Sequence, residues 1–359
     1  MIEAYIISAI AILLAYFAKY DRMKNALPLA FIIITIFLSL GYEWGNDVPT
    51  YFKRFEDYKQ SSLFDFGNYD ELNIKSEFGW VFINQLFAPL GFYGMRAVLF
   101  AFENFVIYLL IKRVVPKEYY WFAVFIYTMN PNFMVLSSSM MRQWLAMCLV
   151  VLGFLFLEKK KLGTYIILIL IAASIHKSSL ICLPLVLIPR LMDNFKSVKI
   201  PIWVFGFLIY FLLSGALVNY VTGWLQTEDI YTSYTDADSV GIFSLVQLTI
   251  YVFMFAHIQQ IEKSKRLYII VLMGFAMILP LYYYSALASR LTFYFIVFTI
   301  AAYPLFLSQS KVNNLVKYAF IAAIVGLTLF SYVSFFAHPT WFRYYSRYTT
   351  LMEAGILNF

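Results

Sequence analysis

The sequence predicts an all-α, polytopic integral membrane protein, and three observations lead to this class. First, 62% of the 359 residues are hydrophobic and 13% are charged, whereas a soluble domain averages about 45–50% apolar and about 25% charged residues. Second, the mean hydropathy is +0.74. Third, apolar runs of about 20 residues, the length that a helix needs to cross the hydrocarbon core, follow one another along most of the chain.

Apolar runs, with two weaker segments, predict about 10–12 transmembrane helices in a single transmembrane domain over residues 1–359. Few residues remain for a soluble domain, so the class of large soluble enzymes is excluded. The runs that we interpret as spans cover residues 2–19, 26–42, 94–111, 118–136, 139–157, 200–220, 241–260, 267–284, 290–308 and 314–337.

Two segments depart from the simple pattern of one helix per apolar run. The segment 163–190 is interrupted by the polar run His176-Lys177-Ser178-Ser179, which predicts two short, tilted helices that meet at a turn. The segment 76–92 is limited by Pro89 and Gly91. We interpret it as an interfacial or re-entrant helix, since irregular backbone within a membrane must be buried or face water.

The distribution of basic residues predicts which side of the membrane each loop occupies. If the loop 20–25, together with the adjacent Lys19, lies inside, alternation places the loops near 112–117, 158–162, 190–199, 261–266 and 309–317 inside as well. These inner segments carry 17 of the 27 Lys and Arg residues. Short cytoplasmic loops are rich in Lys and Arg, so both termini are expected outside. The spread of the +7 net charge over short loops also gives no reason to expect a nucleic acid partner.

This orientation leaves three longer segments on the outer face: a loop at 42–78, a second loop at 221–240 and the tail 338–359. The first loop is longer than an ordinary connection. It also carries many aromatic residues, which is atypical of a disordered segment. We therefore expect it to fold against the outer surface. Its aromatic residues are Trp44, Tyr51, Phe52, Phe55, Tyr58, Phe64, Phe66 and Tyr69.

Several kinds of active site find no support in the sequence. Phosphate-binding glycine loops, the H-E-x-x-H zinc motif and the G-x-S-x-G elbow are all absent. Cys148 and Cys182 lie in apolar runs without metal-ligand spacing. Asp236-Ala237-Asp238 resembles the metal-binding D-x-D of nucleotide-sugar transferases. It lies in an outer loop, however, where nucleotide sugars are not supplied, so a solvated acidic loop is the favoured interpretation.

Cations on the predicted outer face point to a function instead. Arg142, His176, Arg290 and Arg343 all lie on the side that should be poor in positive charge. A single arginine at a helix end is often a headgroup contact, but three turns with a cation on one surface favour a functional site. The planar guanidinium makes bidentate bonds to phosphate oxygens. The pattern therefore predicts an anionic substrate, and a diphosphate-linked lipid presents its charge at this depth.

Short motifs follow one another along the same segments. In chain order they are Gly45-Asn46-Asp47 with Tyr51 and Phe55, Glu77-Phe78-Gly79, Arg142-Gln143, His176-x-x-Ser179-Leu180 and Arg290-x-x-x-Tyr294. This set resembles the motifs of the EpsG-like polysaccharide polymerases, a branch of the Wzy-type group. The tail departs from the family pattern, because Trp341-Phe342-Arg343-Tyr344-Tyr345 stands where a Pro-Tyr end is expected.

The resemblance implies a glycosyltransferase of the bacterial plasma (inner) membrane that is similar to GT-C enzymes. It would polymerise oligosaccharide repeat units carried on undecaprenyl diphosphate, as in O-antigen or exopolysaccharide biosynthesis. The bilayer and the lipid-linked oligosaccharide are the implied partners, and a chain-length regulator membrane protein remains open as a further one. The scheme needs no cofactor and no metal.

The candidate catalytic residues are Asp47, His176, Arg142 and Arg290. The two arginines are assigned to the diphosphate, and Asp47 is favoured over His176 as the base that accepts the proton of the acceptor hydroxyl. The candidate substrate-binding residues are Tyr51, Glu77, Gln143, Lys177, Ser179 and Arg343.

Two other functions remain open at this point. A flippase or transporter of lipid-linked sugars would need charges along a central path, whereas here the polar residues follow one face. A membrane acyltransferase that modifies surface glycans would need its acyl donor from inside, and the inner loops are short.

The orientation leads to a labelling prediction. Gln60→Cys and Thr235→Cys variants should react with a membrane-impermeant maleimide in intact cells, because both positions lie in predicted outer loops. A Lys160→Cys variant should be protected, and the wild-type chain, with Cys148 and Cys182, is the background control. Labelling at position 160 with protection at 235 would reverse the predicted orientation.

Overall fold

The protein is described here by a computed structural model, which describes residues 2–60, 77–187, 242–257, 267, 270–271 and 286–357. The described chain is almost entirely helical, which confirms the all-α membrane class. The α-helices are α1 (Ile2–Phe17), α2 (Ala26–Leu40), α3 (Val48–Gln60), α4 (Phe78–Leu86), α5 (Gly91–Val114), α6 (Tyr120–Met129), α7 (Met134–Ser137), α8 (Met141–Leu157), α9 (Leu162–Ile175), α10 (Ile242–Ala256), α11 (Ala286–Ile296), α12 (Thr299–Gln309), α13 (Asn314–Ala337) and α14 (Pro339–Tyr345).

Short elements connect these helices. Within the described residues, two strands, β1 (Gly41–Tyr42) and β2 (Thr349–Thr350), form one antiparallel pair in which Gly41 faces Thr350. The 3₁₀ helices are Asp21–Met23, Ala88–Leu90, Lys117–Tyr119 and Lys177–Leu187.

The chain divides into two compact units. The first comprises Met1–Leu180 with Ile321–Phe359, and the second comprises Ile181–Phe320. In the second unit, Tyr251 and Tyr303 are buried and their hydroxyls are 3.3 Å apart.

Three helices in the described part are long and apolar enough to cross a membrane, namely Ala88–Val114, Leu291–Gln309 and Asn314–Ala337. Five further apolar helices are shorter. The expected total of about 10–12 spans stays a prediction, because the run 200–220 and most of the run 267–284 lie outside the described residues. The predicted second outer loop, 221–240, lies outside them as well.

In the first unit, helix packing follows the size of the side chains. Helix α1 buries Ala4, Ser8, Ala11 and Ala15, and exposes a stripe of isoleucine and leucine on the other face. Small residues let helices approach closely inside a membrane, while large apolar residues suit the lipid. Nearly every residue of α8 is buried, and α5 and α9 pack against it. Helix α8 is therefore the central helix of this unit.

The predicted helix breaks correspond to breaks in the structure, with two differences. His176 is extended (φ −152°, ψ 104°) and ends α9, as the polar turn predicts, but the following segment is a 3₁₀ helix rather than an α-helix. The predicted span 118–136 is two pieces, α6 and α7. Asn130 is extended (φ −86°, ψ 117°), because a residue before proline, here Pro131, disfavours the helical conformation.

The described part of the predicted first outer loop, residues 42–60, folds against the unit, in agreement with its aromatic composition. Trp44, Phe55 and Tyr58 are buried, whereas Phe52 is exposed. The aromatic residues Phe64, Phe66 and Tyr69 lie outside the described residues. Strand β1 is held on its other side by α5, since the buried Arg96 guanidinium donates to the Gly41 carbonyl (2.9 Å). Arg96 thus binds the backbone of the outer segment.

Gly79 allows α4 to pack directly on the end of α9. A Cβ atom at this position would lie 2.7 Å from the backbone oxygen of Ser174 and still closer to its hydroxyl. A backbone atom cannot rotate away as a flexible side chain can, so any larger residue separates the two helices. The close approach brings the start of α4 next to the turn that follows α9.

A Gly79→Ala variant should therefore lose stability, by about 1–3 kcal/mol as in other overpacked sites, and its Tm in detergent should fall. Gly163→Ala is the matched control, because it adds a methyl group near the other end of α9 with nothing within 4 Å. There alanine should be neutral or stabilising by up to about 1 kcal/mol. Equal melting temperatures for the two variants would show that the α4–α9 contact is not tight.

Candidate functional site

The candidate site centres on the carboxylate of Glu77. The Arg142 Nη1 atom lies 2.6 Å from Glu77 Oε2 and forms a salt bridge. On the other oxygen, His176 Nδ1 lies 3.5 Å from Oε1, and the backbone N–H of Lys177 donates to Oε1 (3.3 Å). Arg142, His176 and Lys177, all candidate site residues from the sequence, therefore meet on the Glu77 carboxylate.

Each of these residues lies at the end of a helix, which explains why they converge. Glu77 immediately precedes α4, Arg142 lies in the first turn of α8, and His176 ends α9. The packing of α4 and α8 against α9 brings these ends to one end of the first unit. The tight turn after α9, closed by Ser179 N–H to the His176 carbonyl (3.0 Å), directs the Lys177 N–H towards Glu77.

Electrostatics keep Glu77 ionised. Its side chain is only 14% exposed, and this burial by itself raises the pKa. The close approach of the His176 imidazole (3.5 Å) and the charge of Arg142 outweigh burial and lower the pKa of Glu77 to about 2. An efficient general base has a pKa near the working pH. Glu77 is therefore suited to hold its partners in place rather than to accept a proton.

Tyr51 connects this cluster to the predicted outer segment. Its ring packs edge-on against Trp80 (centroids 5.6 Å apart), and its hydroxyl is hydrogen-bonded to Arg142. Burial raises the pKa of Tyr51, the Arg142 charge opposes that effect, and the Asp47 charge adds to it. Asp47 lies one helical turn before Tyr51, whose N–H donates to the Asp47 carbonyl (2.9 Å). The Asp47 carboxylate is thus within electrostatic range of a direct partner of Arg142.

The Gly45-Asn46-Asp47 turn is fixed against the residues that precede α8. Gly45 has a φ of +137°, which only glycine adopts without strain. A Cβ atom there would lie 2.9 Å from the Ser139 hydroxyl. The next N–H, of Asn46, donates to Ser139 Oγ (3.1 Å). Because Ser139 stands three residues before Arg142, this contact places the Asp47 turn beside the start of α8.

The C-terminal tail completes this arrangement through Tyr345, a residue that the sequence analysis did not single out. Its hydroxyl is hydrogen-bonded to Ser139 Oγ, and its carbonyl accepts a bond from Trp44 Nε1 (3.4 Å). Burial raises the pKa of Tyr345 to about 12, so the phenol stays protonated. The only sequence signal was the tyrosine-rich end of the chain, where the family pattern has a Pro-Tyr end.

The remaining predicted site residues are more dispersed. Gln143 is buried in α8, the Ser179 hydroxyl is fully buried without a hydrogen-bond partner among the described residues, and the Lys177 side chain is exposed. Arg343 is exposed on α14, where its guanidinium lies over the Tyr344 ring (5.7 Å), so Tyr345 rather than Arg343 links the tail to the cluster. Arg290 belongs to α11 of the second unit, and its side chain lies outside the described residues.

A further acidic side chain, Glu103, is buried in α5, and its Oε2 atom has no hydrogen-bond partner in the described part of the chain. The Asp236-Ala237-Asp238 run lies outside the described residues. Within the described ranges, no group of three or more His, Cys, Asp or Glu side chains is placed to hold a metal ion.

The Glu77 cluster makes stability depend on pH in one direction. Because the folded-state pKa of about 2 lies below the ordinary value of 4.5, the ionised carboxylate stabilises the fold above about pH 4.5, and this contribution is lost as the pH falls towards 2. A Glu77→Gln variant lacks it. The difference in the free energy of unfolding between wild type and variant should be largest near pH 7, on the order of 3 kcal/mol. The difference in Tm should therefore also be largest near pH 7 and should close in acid.

The matched control is Glu56→Gln, which removes a carboxylate that is 42% exposed in a surface pair with Lys59. Surface pairs contribute about 0–1 kcal/mol, so its Tm should follow that of wild type at every pH. A Glu77→Gln variant that behaves like this control would show that the cluster does not stabilise the protein.

Comparison with known proteins supports the resemblance found in the motifs. The model of the EpsG family matches residues 24–348. This range covers nearly the whole chain and includes Asp47, Glu77, Arg142, His176 and Arg290. No curated protein matches the chain, and no solved structure matches it. Because the family match extends over more than half of the sequence, the chain belongs to the EpsG family.

Proposed function

We propose that this membrane protein is a glycosyltransferase that polymerises oligosaccharide repeat units carried on undecaprenyl diphosphate, at the outer face of the bacterial plasma membrane. Membership of the EpsG family indicates a polysaccharide polymerase-type function. The observation that carries the proposal is the convergence of Arg142 and His176 on Glu77, with the Asp47 turn packed beside them. Such a cluster offers cations and a carboxylate to one substrate at a helix-end surface.

The proposed reaction has two chemical requirements. The acceptor hydroxyl oxygen attacks the anomeric carbon of the growing glycan and forms the new glycosidic bond, while the bond from that carbon to the diphosphate oxygen breaks. Negative charge develops on the leaving diphosphate, and one well-placed donor there contributes about 3–4 kcal/mol. The acceptor proton passes to a base, which contributes about 10²–10⁴-fold in rate.

Arg142 is the proposed ligand of the diphosphate in the first unit. Glu77 and Tyr51 hold its guanidinium in one orientation before the substrate binds. Its Nε atom is buried without a hydrogen-bond partner among the described residues. A preorganised donor loses little conformational entropy on binding. Arg290, in the second unit, is the second proposed ligand on the basis of the sequence pattern.

His176 and Asp47 divide the remaining roles. Glu77 lies beside Nδ1 of His176, so the carboxylate favours a proton on that nitrogen and leaves Nε2 for the substrate. When the ring is doubly protonated, Nε2 can donate to a phosphate oxygen. Asp47 can act as the base only if the predicted first outer loop folds inward towards Arg142. The Asn46–Ser139 contact and the charge effect on Tyr51 support this arrangement. We therefore propose Asp47 as the base and His176 as a further donor to the diphosphate.

Substitution of the arginines tests the diphosphate assignment. Arg142→Ala and Arg290→Ala should each abolish polymer in cells that lack the wild-type gene, as seen in glycan ladders, while single repeat units are retained. Arg→Lys should restore polymer only in part, because an ammonium cannot make the bidentate contact. Arg113→Ala, which removes an exposed arginine at the end of α5, should leave the ladder unchanged.

A double variant separates a catalytic role of Arg142 from a structural one. Arg142→Ala alone leaves the Glu77 carboxylate buried without its salt bridge, which is destabilising. Arg142→Ala combined with Glu77→Gln removes both charges, so the membrane abundance and the Tm should recover. Polymer should remain absent if Arg142 binds the substrate. Full polymer from the double variant would mean that Arg142 serves only to neutralise Glu77.

An in vitro assay on purified lipid-linked repeat units distinguishes the two candidate bases. Asp47→Asn should lower the rate by about 10²–10⁴-fold. The wild-type rate should not rise between about pH 6 and 7, because a carboxylate is already ionised there and a histidine that loses its proton can only cease to donate. If histidine is the base, the wild-type rate should instead rise through about pH 6–7. Substantial turnover by Asp47→Asn, together with a pH step that disappears in His176→Gln, would reverse the assignment.

A further inference from the structure

A second site lies at the opposite end of the first unit. A cavity of about 280 Å³ opens between the loop after α1, the start of α2 and the end of α5. Among the residues that line it are Lys24, Leu27, Pro28, Tyr108, Lys112 and Lys117. The motif analysis assigned no role to these residues.

The distance between the two sites follows from the helices that connect them. Helix α2 begins at Ala26, beside the cavity, and ends at Leu40, next to the strand that Arg96 holds. A 15-residue helix is about 22 Å long, and the 16 residues from Arg96 to Lys112 on α5 span about 24 Å. These lengths approach the thickness of the hydrocarbon core, which is about 30 Å. The cavity therefore lies near the membrane face opposite to the Glu77 cluster, which is the predicted cytoplasmic face.

The charges at the cavity favour an anion. Three lysines contribute to its lining, and the acidic residue adjacent in sequence, Glu118, is exposed to solvent. Lys112 lies in the last turn of α5, where the helix dipole favours a cation. Its Nζ atom donates to the Tyr108 hydroxyl (2.7 Å), which holds the ammonium at the wall of the cavity.

The apolar part of the lining indicates what kind of anion fits. Leu27 is buried and Pro28 half-buried, and Ala18 adds a further apolar surface. A free inorganic phosphate gains nothing from such a wall, whereas a phospholipid places its phosphate among the lysines and its glycerol and acyl carbons against the apolar side chains. Basic pockets between transmembrane helices are typical binding sites for acidic headgroups.

We propose that this cavity binds the headgroup of an anionic phospholipid. The lipid phosphate contacts Lys24, Lys112 and Lys117, and the start of its acyl chains lies along Leu27 and Pro28. Because the lysines come from the α1–α2 loop, from α5 and from the 3₁₀ helix that follows it, one bound lipid ties together three segments of the chain. This proposal is independent of the proposed polymerase function, and its test does not measure polymer.

The experiment uses the purified full-length protein in micelles of a neutral detergent. Phosphatidylglycerol, phosphatidylcholine and inorganic phosphate are titrated in parallel, with retained lipid measured by native mass spectrometry and Tm measured by intrinsic fluorescence. Phosphatidylglycerol should be retained and should raise the Tm. A variant with Lys24, Lys112 and Lys117 all changed to Gln should bind it at least about tenfold more weakly, since each basic residue near an anionic lipid contributes about fivefold.

The matched control changes Lys159, Lys160 and Lys161 to Gln. These lysines are exposed in the loop after α8 and do not line the cavity, but they lie at the same end of the unit. This variant should keep the wild-type affinity within about twofold. The single Lys24→Gln variant changes one exposed side chain and should bind about fivefold more weakly. It therefore tests the cavity even if the triple variant does not fold.

Three results would overturn the proposal. Equal losses in the two triple variants would mean that surface charge, not the cavity, attracts the lipid. Equal effects of inorganic phosphate and phosphatidylglycerol would indicate a free-anion site. Equal effects of phosphatidylcholine and phosphatidylglycerol would mean that the lysines do not recognise the charge.

Discussion

Compensation of the buried Glu77 carboxylate is the constraint on which the rest of the candidate site depends. A charge that is removed from water is costly unless it is paired and hydrogen-bonded. Glu77 receives this compensation from Arg142, from the Lys177 N–H and from the close approach of His176. These partners come from two separate parts of the chain and Glu77 comes from a third, so satisfying one carboxylate fixes the ends of α4, α8 and α9 relative to one another. The small size of Gly79 makes this geometry accessible.

A second layer of polar contacts joins the predicted first outer loop to the same framework. The Ser139 hydroxyl contacts both the Asn46 N–H and the Tyr345 hydroxyl, and Trp44 donates to the Tyr345 carbonyl. Ser139 is buried just before α8, so these bonds form away from competing water. Low dielectric strengthens hydrogen bonds and makes an unpaired group costly. The first outer segment and the C-terminal tail, far apart in sequence, are therefore held as one structure beside Arg142.

Sequence reasoning reached the fold class because hydropathy is a local property, and it found the turn at His176 because four polar residues interrupt an apolar run. It could not identify Glu77 as the centre of the site. Glu77 lies 65 positions from Arg142 and 100 positions from Lys177 in the sequence. The Tyr345–Ser139 bond spans 206 positions. Hydropathy along one chain contains no information about which helix ends meet. Arg343 was selected for its charge, whereas packing selects the neighbouring Tyr345.

The pairing of Arg142 with Glu77 has a consequence for the proposed reaction. Only interactions that are stronger in the transition state than with the bound substrate accelerate the chemical step. The ionised Glu77 carboxylate weakens the attraction of Arg142 to the bound substrate and holds the guanidinium in place. A guanidinium that is already oriented can stabilise the additional charge that develops as the anomeric bond breaks without reorganising. After transfer, the same carboxylate opposes retention of the free diphosphate lipid. Glu77, although too weak a base to accept the proton, therefore still favours turnover.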